Sequence, residues 1–137
     1  MQCELCTLNN EEILYQTDLY RIIAVNDQYY PGFVRVILNQ HVKELTDLSK
    51  NEAHILCDII FEIEIKMREF LNPDKVNIAS LGNVTPHLHW HIVPRFIDDR
   101  HFPNPIWGKV VNQNYHPAKK LQDAFNQFKI SLKTGLV

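Results

Sequence analysis

The segment PHLHWHIVPR (86–95) carries histidines at three alternate positions, residues 87, 89 and 91. Apolar residues stand between and after them, at Leu88, Trp90 and Ile92. Successive side chains of a β-strand point to opposite faces of the sheet, so this alternation predicts a strand over residues 88–94. Its apolar residues are expected to face the core, and the three imidazoles are expected to form an exposed row on the other face.

Three interpretations of this row stay open on the residues alone: an exposed polar face, a metal site or a nucleophile. Alternate side chains of a strand start roughly 6–7 Å apart, whereas Zn–N bonds are about 2.0–2.1 Å long. Two of the histidines could therefore share an ion, but all three fit one ion poorly. A neutral imidazole can instead attack phosphorus and form a covalent intermediate, with neighbouring rings orienting it and donating protons.

The remaining pattern predicts an α+β fold around an antiparallel sheet. Two short strands are expected within 13–25 with Asp18 at the turn, and further strands over 33–38 and 76–80. A long helix, capped by Asp47 or Ser49, should end before Pro73. A second helix is predicted over 116–133 with Pro117 at its first position, after an ordered but irregular segment over 97–115. We expect one domain over 1–137, with its core at about 3–96.

Composition excludes several classes of function. The net charge is −2 and Lys and Arg are not clustered, so binding of nucleic acid has no support. Neither a long apolar run nor a signal-peptide pattern is present, which predicts a cytoplasmic protein without membrane attachment. An odd number of cysteines, three, suits a reducing compartment. Cys57, in an apolar helical run, is expected to be a small core residue.

The segment His87-Leu-His89-Trp-His91-Ile-Val resembles the H-φ-H-φ-H-φ-φ signature of the histidine-triad (HIT) family, where φ is apolar. Asn77 and Gly82-Asn83 precede it where members carry Asn and then Gly-Gln, and Pro94-Arg95 follow it, as in the branch that cleaves dinucleoside polyphosphates (Ap4A hydrolase-like proteins). Upstream, YPGFVRVILNQHVKELTDL (30–48) is similar to the family's P-G-H-φ-φ-φ-φ-P-x-x-H segment. The resemblance covers roughly residues 3–96.

This resemblance implies a nucleotide hydrolase or transferase that cleaves at the α-phosphate by double displacement and requires no cofactor for catalysis. His89 would be the nucleophile, His91 would hydrogen-bond the α-phosphate, and His87 would orient its neighbours. Asn83 takes the place of a Gln that contacts the leaving oxygen. Phosphoric anhydrides and phosphoramidates both present the α-phosphate that this chemistry needs.

The resemblance also implies how a nucleotide and a second subunit would bind. Asn26 lies where members bind the ribose hydroxyls, and Ile23 would line the base pocket. An adenine nucleotide is the expected small-molecule partner. Members have an antiparallel sheet of about five strands, a long helix and a homodimer with a continuous sheet, and we expect the same here.

Several positions depart from the family pattern. This chain has Phe33 where the family usually has His, and Leu38 where Pro is common. It has Asn83 in place of Gln and Asn26 in place of Asp. These changes keep two alternatives open: a nucleotide-binding protein without catalysis on the same scaffold, and a metal-dependent enzyme that uses two of the triad histidines.

Cys3 and Cys6 form a C-x-x-C that could be half of a zinc site, a redox pair or neither. A redox pair of the thioredoxin type should lie between a strand and a helix, and this pair stands at the N-terminus. Some bacterial HIT proteins bind zinc through such cysteines and two histidines, which here implies Cys3, Cys6, His41 and His87. Of the remaining histidines, His101 has no partner that the sequence identifies.

Overall fold

The computed structural model describes residues 3–7 and 10–135, and besides two short 3-10 helices (Glu4–Cys6 and Leu45–Asp47) its regular structure consists of five strands and two α-helices. In chain order these are β1 (Glu12–Gln16), β2 (Tyr20–Ala24), β3 (Val34–Leu38), α1 (Lys50–Leu71), β4 (Lys75–Ala79), β5 (His89–Arg95) and α2 (Lys119–Thr134). The strands form one antiparallel sheet in the order β1-β2-β3-β5-β4. The α+β class and the five-stranded antiparallel sheet are therefore confirmed.

Helix α1 begins with a capping box. Of the two predicted caps it uses Ser49, whose hydroxyl accepts a hydrogen bond from the Glu52 N–H while the Glu52 carboxylate accepts one from the Ser49 N–H. Asn72 ends the helix in the left-handed conformation, directly before Pro73. One stripe of the helix is buried against the sheet, formed by Leu56, Ile59, Ile60, Ile63, Met67 and Leu71.

Two sequence-based expectations about the helices are wrong. Cys57 is exposed, because one residue along a helix turns about 100° and thus leads away from the buried side of Leu56. Helix α2 begins at Lys119 and not at Pro117, since the N-cap Ala118 still has extended backbone. Its apolar side chains Phe125 and Phe128 are buried in the main core, so α2 covers the sheet together with α1.

Both helices pack on the same side of the sheet, and neither covers its other face. Leu88 and Ile92 are buried in the core and Trp90 packs against it, as the alternation predicted. Within residues 3–7 and 10–135, neither helix combines the length and the apolar character needed to cross a membrane.

Candidate functional site

Strand register aligns one row of side chains across the sheet. Ile23 of β2 is paired with Arg35 of β3, and Arg35 is paired with His91 of β5. Paired residues of neighbouring strands project from the same face. Since Val36 and Ile92 belong to the core beneath the helices, this row lies on the face that the helices leave free.

The triad histidines are buried on this face, contrary to the exposed row expected from the sequence. The relative exposures of His87, His89 and His91 are 0%, 7% and 6%. The N-terminal segment and the loop that carries Trp107 line the cleft in front of His89 and His91, and the sequence pattern contained no sign of this cover. Truncation of these side chains therefore removes buried contacts.

His87 lies before β5, and its ring does not line up with the rings of His89 and His91. Its Nε2 donates a hydrogen bond to the Leu38 carbonyl oxygen at 2.6 Å, so its Nδ1 carries a lone pair when the ring is neutral. Burial lowers the pKa of His87, which favours the neutral ring. The Leu38 N–H in turn donates to the Leu88 carbonyl at 3.2 Å. A proline at position 38, common in the family, has no N–H for this bond.

His89 is held in one tautomer. Its Nδ1 lies 2.6 Å from the His87 carbonyl oxygen, which can only accept a hydrogen bond, so Nδ1 carries the proton. Burial lowers the pKa of His89, and the nearby Arg35 charge lowers it further. A neutral His89 therefore has its lone pair on Nε2.

His91 is held in the opposite tautomer. The Arg35 Nε–H donates to His91 Nδ1 at 3.3 Å, and a guanidinium cannot accept, so the proton of a neutral His91 is on Nε2. Burial and the charge of Arg35 lower the pKa of His91 to about 4, so the ring is neutral at pH 7. The rings of His89 and His91 lie 4.8 Å apart, edge to face. A lone pair and an N–H donor thus stand side by side.

Two adjacent clefts open on this face. The smaller, about 310 Å³, is lined by His89, His91 and Asn83. The larger, about 680 Å³, is lined by Ile23 and Asn26. Three residues line both clefts, namely Glu4, Leu5 and Arg35. The cleft of Ile23 and Asn26 is therefore continuous with the cleft of Asn83, His89 and His91, whereas His87 lines neither of them.

Sequence reasoning missed two residues of this site. Arg35 is the only charged residue in the apolar strand segment FVRVIL, a signal that was available in the sequence. The Trp107 ring lies 4.9 Å from the His91 ring and is half exposed. Nothing in the irregular pattern around Trp107 indicated that it lies at the site. Phe33, where members have His, packs with its ring 5.8 Å from His91.

A buried ion pair fixes the segment that carries Trp107. Arg95 donates from Nε and Nη2 to the Asp99 carboxylate at 2.8 and 3.1 Å. The same guanidinium donates to the Asn77 side chain and the Asn104 carbonyl, so it ties β4 and β5 to the segment. Burial alone would raise the pKa of Asp99, but Arg95 and three backbone N–H groups hold it below its usual value. His101, without an identified partner in the sequence, hydrogen-bonds Tyr30 beside this pair.

The four predicted metal ligands lie together. Cys3, Cys6, His41 and His87 each offer one ligand atom, and these atoms all lie within 4.8 Å of one another. His87 Nδ1 is 3.3 Å from Cys3 Sγ, 3.5 Å from Cys6 Sγ and 3.2 Å from His41 Nδ1. These are close to the edges of a tetrahedron with metal bonds of about 2.0–2.3 Å. Because its Nε2 donates to Leu38, the lone pair of His87 Nδ1 points into this group.

Comparison with known proteins assigns the family. The model of the HIT domain matches residues 7–98. The chain belongs to the HIT domain family. A HIT-like protein of Saccharolobus solfataricus, whose function is not characterised, is 30% identical over 94 residues, which cover 64% of this chain and 66% of that protein. The AP-4-A phosphorylase of Mycobacterium tuberculosis is 29% identical over 100 residues, 68% of this chain and 51% of the enzyme. The chain thus spans between half and two thirds of these relatives.

Solved HIT structures share the fold. A histidine triad protein of Bradyrhizobium japonicum superimposes with a TM-score of 0.73 at 26% identity, covering 90% of this chain and 95% of that one. A zinc-bound histidine triad family protein of Mycobacterium smegmatis does so with a TM-score of 0.58 at 20% identity, covering 88% of this chain and 82% of that one. The architecture of this HIT protein is therefore that of its family.

Proposed function

We propose that this HIT protein cleaves a nucleoside phosphate derivative at the α-phosphate through a covalent nucleotidyl-histidine intermediate. The main support for this proposal is that neighbouring His89 and His91 are held in opposite tautomers. His89 directs a lone pair from Nε2, while His91 directs an N–H from the equivalent nitrogen. A nucleophile beside a hydrogen-bond donor suits attack on phosphorus with stabilisation of a phosphate oxygen.

The proposed reaction has two displacements. In the first, the lone pair of His89 Nε2 forms a bond to the α-phosphorus, and the bond to the leaving group breaks with its electron pair. The imidazole becomes cationic, and the His87 carbonyl that accepts from Nδ1 stabilises this charge. In the second, water attacks phosphorus, the N–P bond breaks, and a proton of the water passes to solvent. The products are a nucleoside monophosphate and the leaving group.

The flanking residues receive supporting roles. His91 would donate to a non-bridging oxygen of the α-phosphate, and His87 would position His89 through its main-chain carbonyl. Asn83 lines the small cleft and would contact the leaving group. Ile23 and Asn26 line the large cleft and would meet the base and ribose of an adenine nucleotide. AP-4-A phosphorylase among the relatives supports a substrate with an adenosine phosphate.

Release of AMP tests this function. Purified protein is incubated with diadenosine tetraphosphate and, separately, with adenosine phosphoramidate. AMP release from either substrate, unaffected by a chelator, is the expected result. AMP binding without turnover of either substrate would favour the non-catalytic alternative, and turnover abolished by the chelator in protein that is still folded would favour the metal-dependent one.

We also propose that Cys3, Cys6, His41 and His87 hold a structural zinc ion. The tetrahedral spacing of their ligand atoms supports this, and a Cys₂His₂ set is ordinary for structural zinc. A zinc ion would tie the N-terminal segment to the residue before β5 and supply stability to the fold. The chemical step would remain with His89 and His91.

Zinc removal should lower stability and leave the chemistry intact. We expect about one zinc per chain by elemental analysis, and almost none in Cys6→Ser. Loss of the ion should reduce the free energy of unfolding by about 3 kcal/mol or more, or roughly 10 °C in melting temperature. Cys57→Ser, which changes an exposed cysteine on α1, is the matched control. A zinc-free protein with an unchanged melting temperature would contradict this site.

We propose that the chain forms a homodimer through the free edge of β4. Among the described residues this strand pairs with β5 only, and Ile78, paired with Ile92, is 45% exposed on the side of the helices. Phe61 and Ile65 of α1 are also exposed. Sedimentation should give a dimer for wild type and a monomer for Ile78→Lys, while Ile130→Lys on α2 should remain dimeric. A monomeric wild type at micromolar concentration would contradict the dimer.

A further inference from the structure

Arg35 stands at the junction of the two clefts. In the sheet it is paired with Ile23 on one side and His91 on the other. Its side chain lines both the cleft that contains Asn26 and the cleft that contains His89. Any ligand that reaches from one cleft to the other passes this guanidinium.

The hydrogen-bonding capacity of Arg35 is largely unused. The guanidinium donates through Nε to His91 and lies 5.7 Å from the Phe33 ring. The carboxylate of Glu4 lines the same clefts, and those of Glu4 and Glu11 act on Arg35 only through their charge. Among the described residues, neither carboxylate approaches Arg35 to ion-pair distance. A guanidinium has five N–H donors, and within the described part of the chain the two terminal nitrogens of Arg35 make no hydrogen bond.

Arg21 and Arg95, two arginines that are more deeply buried than Arg35, show the contrast. Arg21 donates to both carboxylate oxygens of Glu11 and to the Leu5 carbonyl. Arg95 donates twice to Asp99 and to two further oxygens. A partly buried cation is unfavourable unless an anion and hydrogen-bond acceptors complete it. Arg21 and Arg95 have such partners within the protein, and Arg35 has none among residues 3–7 and 10–135.

We propose that Arg35 binds the phosphate of the nucleotide, which supplies the anion and the hydrogen-bond acceptors for its guanidinium. This HIT protein would then distinguish a nucleotide from a nucleoside mainly through Arg35. The inference rests on the proposed function for the nature of the ligand. The planar fork of Arg matches two non-bridging phosphate oxygens. A phosphate between Arg35 and the Nε2–H of His91 would meet cationic and neutral donors while Nε2 of His89 remains free to attack.

Binding of AMP and of adenosine, measured by calorimetry, tests the proposal without requiring turnover. Arg35→Gln should weaken AMP binding by about 10- to 100-fold and leave adenosine binding within about twofold. Arg35→Lys should restore part of the AMP affinity, because the charge returns without the fork. Arg68→Gln, the same change on exposed α1, is the matched control. The affinity of wild type for AMP should also fall with salt more steeply than that of Arg35→Gln.

Two results would overturn the proposal: equal losses of AMP and adenosine affinity in Arg35→Gln, which indicate a structural role, or no loss of either. Binding of tripolyphosphate, measured for wild type and Arg35→Gln, separates this proposal from the proposed function. If wild type binds neither AMP nor adenosine but binds tripolyphosphate through Arg35, the phosphate site stands and the nucleotide function falls. If wild type binds none of the three, both fall.

Discussion

His89→Asn is expected to reduce AMP release by at least about 10³-fold while the protein still folds and binds AMP. The side-chain amide of Asn can occupy the position of Nδ1 and donate to the His87 carbonyl, as the imidazole does at 2.6 Å. It carries no nucleophile at the position of Nε2. The change therefore removes the attacking lone pair and retains the local hydrogen bond. Steady-state release of AMP and calorimetric binding of AMP are the two measurements.

His54→Asn is the control for this substitution, because His54 is exposed on α1 behind the sheet. It should release AMP at the wild-type rate. Since His89 is only 7% exposed, the melting temperature of His89→Asn must be measured as well. A folded His89→Asn that turns over at a rate close to wild type would contradict His89 as the nucleophile.

Asp99→Ala is expected to be the most destabilising single change on the site side of the sheet. The Asp99 carboxylate accepts from Arg95 and from the N–H groups of Phe96, His101 and Phe102. Its removal leaves the buried Arg95 guanidinium without an anion, which costs about 3–5 kcal/mol. Thermal and urea unfolding of the variant should show this loss as a lower free energy of unfolding.

Asp98→Ala, next in the chain but exposed, is the matched control and should change stability by less than about 0.5 kcal/mol.

The contribution of Asp99 to stability also has a defined pH dependence. Because folding lowers the pKa of Asp99, its stabilisation is present above the unfolded pKa and is lost as the pH falls below about 4. A loss under about 1 kcal/mol in Asp99→Ala would show that this ion pair contributes little net stability.

The local signals of the sequence were sufficient for the fold. Alternation at residues 88–92 predicted β5 and its core side, because side-chain direction in a strand depends only on the period of two. Asn72-Pro73 marked the end of α1, and two candidate caps, Asp47 and Ser49, marked its start, through backbone and capping chemistry that involves a few neighbouring residues. The start of α2 was displaced by two residues, because an N-terminal proline fits both the first turn and the residues before it.

Contacts between residues that are distant in the chain could not be predicted from these local signals. The period of two put His87 in a row with the other histidines, but the structure turns its ring toward Cys3, Cys6 and His41. Burial of His89 and His91 depends on the N-terminal segment and on Trp107, which are distant in the chain. The resemblance to HIT proteins supplied residue roles but not Arg35, since that position is apolar in the family pattern. Its significance follows from strand register and from the partners of the other arginines.

Covalent attachment of a nucleotide to His89 is the central step of the proposed function. Wild-type protein is mixed with diadenosine tetraphosphate, quenched within the first turnover, and examined by intact and peptide mass spectrometry under conditions that preserve N–P bonds. We expect an adenylyl adduct on His89 that rises before AMP release becomes steady and is absent from His89→Asn. Release of AMP during that first turnover without any protein adduct, or an adduct on another residue that persists in His89→Asn, would contradict it.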